Sequence, residues 1–117
     1  MGWVPIETTA EDLRNIQFRA YYDSFLDAQG QNKYIDRLEK DLPPGYKGDI
    51  REARGRLETF QKRISKYKIL FPEQERIQDA QESFIDLGNK IFIRRIVITL
   101  NNGTQKIIEK KHDNLLP

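Results

Sequence analysis

The single histidine, His112, stands between Lys111 and Asp113 in a polar stretch near the end of the chain. An imidazole in a polar tail is solvated rather than poised as a general base. There is no cysteine, so the chain offers neither a thiolate nucleophile nor a disulfide framework. One histidine without cysteine also leaves zinc without a ligand set. No Gly-rich phosphate loop, no GxSxG and no HExxH is present. The residue types point away from catalysis, and the expectation is a chain with no catalytic residues, no metal, no cofactor and no small-molecule substrate.

Charge carries more information than nucleophiles do. Glu75, Asp79, Glu82 and Asp86 recur at helical spacing and would form an acidic line on one face, opposite an apolar seam. Like charges four apart destabilise a helix by a few tenths of a kcal/mol per pair, about the worth of an ion pair with the sign reversed. The line therefore does not serve the isolated helix. It is either a solvated face or a docking surface for a basic partner, such as the basic helix of a second copy. It is not a metal cage, because one straight helix cannot wrap a cation with six oxygens.

The preceding segment is basic through Arg51, Arg54, Arg56, Lys62, Arg63, Lys66 and Lys68. Together with Arg95, Lys106 and Lys110 these residues could line a path for phosphates, which makes nucleic acid the alternative ligand. Against it, the acidic segment that follows would lie alongside, and aromatics are not interleaved with the basic residues of the hairpin as stacking would require. Pro43-Pro44-Gly45-Tyr46 fits the PPxY pattern that docks on aromatic grooves, although two prolines and a glycine also serve simply as a turn.

The elements that must position these residues follow from the apolar spacing. Ile50, Ala53, Leu57, Phe60, Ile64 and Tyr67 step 3, 4, 3, 4, 3, as do Ile77, Ala80, Phe84, Leu87 and Ile91 over their shorter run. Each set makes a narrow helical seam. With Pro72 between them, the expectation is an antiparallel helical hairpin of coiled-coil character, with helices over 50–70 and 72–91. Upstream, Thr8-x-x-Glu11 is a capping-box pattern, which predicts a first helix over 9–29 that stops at Gly30. A shorter second helix then covers 31–42. Downstream, 93–110 reads as a β-hairpin: β-branched residues flank Asn102-Gly103, placed as a type I′ turn with Ile98 opposite Ile107 and Ile96 opposite Glu109. Two strands alone are marginal in water, so a third strand from Trp3–Ile6, cover by the first helix, or pairing with a partner is needed.

The predicted fold is thus mainly α (α+β), a single domain of four helices followed by a C-terminal β-hairpin. The formal net charge of +2 is unevenly spread: residues 1–48 hold six bases against eight acids, and residues 49–117 hold fourteen against ten. Such banding suits contacts between elements or subunits more than one large nucleic-acid footprint. With a mean hydropathy of −0.74 and no run of apolar residues long enough to span a bilayer, the chain reads as soluble and cytoplasmic or otherwise intracellular. The functional expectation is a non-catalytic protein–protein interaction or assembly module, oligomeric, acting through charged helical faces and a strand edge.

Overall fold

The computed structural model describes residues 9–41 and 48–113. Two helices, α1 (Ala10–Asp41) and α2 (Gly48–Lys68), precede a single 3-10 turn at Glu73–Glu75 and three strands: β1 (Ile77–Gly88), β2 (Ile91–Leu100) and β3 (Gln105–Asp113). The strands form an antiparallel meander in the order β1-β2-β3. This corrects the expected four helices and hairpin to two helices and a three-stranded sheet. Trp3–Ile6, one of the three ways of completing the β-hairpin, and the Pro43–Tyr46 motif lie outside the described residues.

Helix α1 runs unbroken through Gly30, so the two short helices expected over 9–29 and 31–42 are one. Its N-cap is Thr9, whose Oγ1 accepts the Asp12 N–H at 3.1 Å, one residue later than the capping box places it. Gly30 has no positive φ and therefore does not act as a C-cap. The helix absorbs its cost of about 1 kcal/mol because Ala28 and Ile35, on either side, remain buried. A Cβ added at Gly30 meets nothing within 4 Å. Gly30→Ala is accordingly expected to stabilise the fold by about 0.5–1 kcal/mol, which a urea melt with unchanged slope would check.

Helix α2 follows the expected seam: Ala53 is fully buried and Ile50, Leu57, Phe60, Ile64 and Tyr67 are half-buried. Its partner in the antiparallel hairpin is α1, not a helix over 72–91. The pairing is read from Arg54–Glu39 at 2.7 Å and Arg56–Gln31 at 3.4 Å, where rising numbers on one helix meet falling numbers on the other.

The segment read as a fourth helix is strand β1. In a strand, side chains alternate, so the 3-4-3-4 series splits: Phe84 shares the helix-facing side with Ala80, while Leu87 turns away. Ile77 and Ala80 are both buried because the register slips between Ile77 and Asp79. The reason is tertiary. The β-branched run Ile91–Leu100 needs neighbours on both sides, and β1 supplies the one that the β-hairpin lacks.

Two turns set the registers. Between β1 and β2, Asn89 and Lys90 both have positive φ, 54° and 62°, the requirement of a type I′ turn. Lysine is strained there, so Lys90→Gly is expected to raise stability by about 0.5–1 kcal/mol; a thermal melt that does not rise would count against this turn. Between β2 and β3, the Gly103 N–H donates to Leu100 O at 2.9 Å and the Leu100 N–H to Thr104 O at 2.9 Å. With Gly103 at φ 85°, this is a type I turn closed by a bulge, one residue longer than the expected I′ turn. Ile98 therefore faces Lys106, Ile96 faces Ile108 and Val97 faces Ile107. A one-residue slip exchanges faces, which takes Ile108 into the core and leaves Ile107 exposed.

The core lies between α1 and one sheet face. Tyr21, Tyr22, Phe71, Ile77, Ala80, Ile96, Ile98 and Leu100 are buried together, with Phe18, Phe25, Leu26, Ile64, Tyr67 and Ile108 packed around them. No α1 residue beyond Leu26 belongs to this core. Further along, Ile35 and Ala53 are buried where α1 and α2 meet, and the outer half of the helical hairpin projects past the β1 edge.

Candidate functional site

The meander leaves β1 and β3 as open edges, and the two are built differently. An edge strand presents a row of unpaired N–H and C=O groups, which lysines blunt. Strand β3 carries Lys106, Lys110 and Lys111 over its nine residues. Strand β1 is twelve residues long and has no base, only Asp79, Glu82 and Asp86. Both edges carry charge; β1 differs in its length, in having no lysine, and in keeping a regular register from Asp79 to Asp86 between the shifts at its two ends.

Beside the β1 edge, α1 and the sheet diverge and border an open cavity of about 670 Å³. The α1 wall includes Leu26, Gln29, Lys33 and Asp36, and the opposing wall is Ala80, Gln81 and Glu82 of β1. A smaller hollow of about 300 Å³ lies near the β2–β3 turn, with Arg14, Phe18, Glu75 and Lys106 among its walls. In neither do a nucleophile, a base and an orienting group converge.

The four acidic residues do not form a helical stripe. Glu75 lies in the 3-10 turn and meets Arg14 at 3.0 Å. Asp79 Oδ1 accepts from Gln29 Nε2 at 3.4 Å. Glu82 Oε2 accepts from Arg94 at 2.6 and 2.9 Å, and Asp86 Oδ1 accepts the Gly88 N–H at 2.8 Å beside the turn. Each is engaged within the molecule, so together they give β1 its charge without forming one continuous surface.

All seven bases of α2 are exposed. Arg54 pairs with Glu39 and Lys62 with Glu58, while Arg56 donates to Gln31 and Arg63 lies over the Phe60 ring. Arg51, Lys66 and Lys68 have no partner among the described residues. The hairpin bases do not join them on one path. Arg95 pairs with Glu109 at 2.8 Å on the sheet face away from the helices. Lys106 sits over the Phe18 ring at 4.5 Å, and Lys110, opposite Arg94, is on the helix-facing side.

Where α1, α2 and the sheet meet, charges do converge. Partial burial, and next Asp23, raise the Asp27 carboxyl above its ordinary value; Arg63 and Arg94 pull it down and Glu82 adds to the rise. This balanced cluster is a seam between elements rather than a catalytic pair.

His112 is part of β3 and not of a solvated tail. Its ring stacks on Phe92 at 5.2 Å, and Phe92 meets Phe84 edge-on at 5.7 Å. Its Nε2 is buried without a hydrogen-bond partner among the described residues. This row crosses all three strands. The sequence separation of its members hid it, and only the strand registers bring it together. On the other face Ile85, Ile93, Val97 and Ile107 share one side by alternation, with Ile107 61% exposed.

Among the described residues, no group of three or more His, Cys, Asp or Glu side chains could hold a metal, and no helix is long and apolar enough to cross a membrane. No protein-family model matches the chain, nor does any curated protein or solved structure.

Proposed function

We propose that this chain is a non-catalytic protein–protein interaction module that works through its sheet rather than through its helical faces. The observation carrying this reading is the long β1 edge, which has no lysine and no strand beyond it among the described residues and whose middle, at Ala80–Glu82, borders a cavity. Lysines on an edge discourage the addition of a further strand; β3 carries three of them and β1 none. Self-association through the same sheet is the competing form of this reading, and sedimentation at two concentrations separates the two.

A second reading, nucleic-acid binding, draws on Arg51, Lys66 and Lys68, exposed and without partners on α2. Phosphate contacts make affinity fall steeply with salt, whereas strand addition rests on backbone hydrogen bonds and apolar side chains. The experiment is a selection of displayed random dodecapeptides on the purified chain, run beside titration of single- and double-stranded oligonucleotides across a salt series. The interaction reading expects a recurrent peptide pattern and weak oligonucleotide binding. No peptide enrichment, with tight oligonucleotide binding that collapses on adding salt, would replace it with the second.

A further inference from the structure

We propose that the cavity between α1 and the β1 edge takes an extended, basic segment of a protein partner, which adds to β1 as a fourth strand. This rests on the interaction-module reading and specifies its site and ligand chemistry. Three observations converge on it.

The first is geometric. A strand added to a sheet lies about 4.8 Å from its neighbour, and the space it needs beside β1 is the space that the diverging α1 leaves open. One wall offers the β1 backbone at Ala80–Glu82. The other offers the polar side chains of Gln29, Asn32 and Asp36. An extended chain is thus met by main-chain groups on one flank and by side-chain donors and acceptors above.

The second is charge. Strand β1 holds three acids and no base. At the cavity itself the carboxylates are Asp36 and Glu82, the latter paired with Arg94, against Lys33 as the one base among the lining residues. The chain as a whole is weakly basic at +2, so this edge is a local reversal of sign. An acidic strand would meet like charges directly across the ladder, which is destabilising, whereas a basic one would be steered in.

The third is the alternation of side chains. On the side away from the helices, the added strand would neighbour Gln81, Ser83, Ile85 and Leu87 and extend an apolar surface already formed by Ile93 and Val97. On the other side it would lie beneath the polar underside of α1. The fitting segment therefore alternates, with aliphatic residues on one side and Lys or Arg on the side facing α1. Strand β3 offers no second site, because its own lysines would face those of the ligand.

The test uses the full chain, labelled with ¹⁵N, and three synthetic decapeptides: alternating Lys and Val, alternating Glu and Val, and the Lys–Val peptide with alternate amides N-methylated. The Lys–Val peptide is expected to bind, shifting amide signals of β1 and of α1 from Leu26 to Asp36. The Glu–Val peptide should bind at least tenfold more weakly, and N-methylation should abolish binding. Asp36→Lys, at an exposed helical position, should weaken the Lys–Val peptide about tenfold. Gln81→Lys, on the edge itself, should do the same without altering the sheet spectrum. Shifts confined to α2 or β3, equal binding of the two charge types, or indifference to N-methylation would each overturn the proposal. If the dodecapeptide selection still yields a recurrent binder in that event, the interaction-module reading stands and only this site falls; if it yields none, both fall.

Discussion

Replacing Phe71 with alanine should cost about 3–5 kcal/mol, a large share of the roughly 5–15 kcal/mol that holds a domain of this size. The corresponding fall in Tm is on the order of 12–20 °C. Phe71 follows α2 at the point where the chain turns toward the sheet, and it is 5% exposed. Its ring stacks on Tyr21 and meets Phe18 edge-on, each at 5.7 Å, with the Arg14 guanidinium over it at 5.6 Å. Its carbonyl accepts from Arg76 Nε at 3.1 Å. Truncation would remove the ring that joins α1 to the start of the sheet and leave a void that aromatic neighbours, locked by one another, cannot collapse to fill. Calorimetry of the variant gives the answer directly; a loss under 1 kcal/mol would mean that this cluster is not the centre of the core.

Tyr21→Phe should cost about 1–3 kcal/mol, although the ring and its packing survive. The Tyr21 hydroxyl accepts the Ile77 N–H at 2.9 Å in a buried setting, and it thereby anchors the first residue of β1 to α1. Phenylalanine leaves that N–H with no acceptor. The effect also has a pH signature. Burial, the largest influence, raises the Tyr21 pKa above 10.0, against smaller lowering by the Ile77 hydrogen bond and Arg76. Burial, and next Asp23, raise that of Tyr22 as well. A phenol with a raised folded-state pKa binds more protons folded than unfolded once the pH exceeds its ordinary value, so stability falls from there upward. Its contribution is full below pH 10 and is lost as pH rises toward the folded-state value. The stability gap between wild type and Tyr21→Phe should therefore narrow in alkaline solution above pH 10. A gap that stays constant would mean that the hydroxyl is not buried as described.

The α2 seam and the β2–β3 hairpin were legible from residue order because each rests on local signals: strict apolar spacing in one, Asn-Gly between β-branched runs in the other. Strand β1 was not legible. Ile77, Ala80, Phe84, Leu87 and Ile91 match a helical seam as well as any sequence can, and only pairing with Ile91–Leu100 decides against it. The signal that could have shown this was Gly88-Asn89, a turn dipeptide inside an assumed helix. Gly30 erred in the opposite direction, since a glycine that stops an isolated helix is carried through when both neighbouring turns are buried against α2. The acidic line lost its helical geometry with the helix, and the β1 edge emerged only when the strand order was known. The bases of α2 stayed on an exposed helix as expected, but their joint path with Arg95, Lys106 and Lys110 did not form, because the sheet divides those residues between its two faces.

One continuous helix serves two neighbourhoods of very different strength. From Phe18 to Leu26, α1 is clamped by the aromatic core. From Gly30 to Asp41, among the described residues, it packs on α2 through Ile35, Ala53, the half-exposed Arg54–Glu39 ion pair and the Arg56–Gln31 hydrogen bond; a surface pair of this kind is worth about 0.2–1 kcal/mol. The outer hairpin is therefore a cantilever: it can unzip as a cooperative unit of its own while the sheet and the inner turns of α1 stay intact. Backbone amides of 30–41 and 48–56 should exchange with solvent through this partial opening, orders of magnitude sooner than those of 18–26. The far wall of the cavity beside β1 is then the first part of the fold to give way, and it can be lost over a dozen helical residues while the edge strand keeps its place in the sheet.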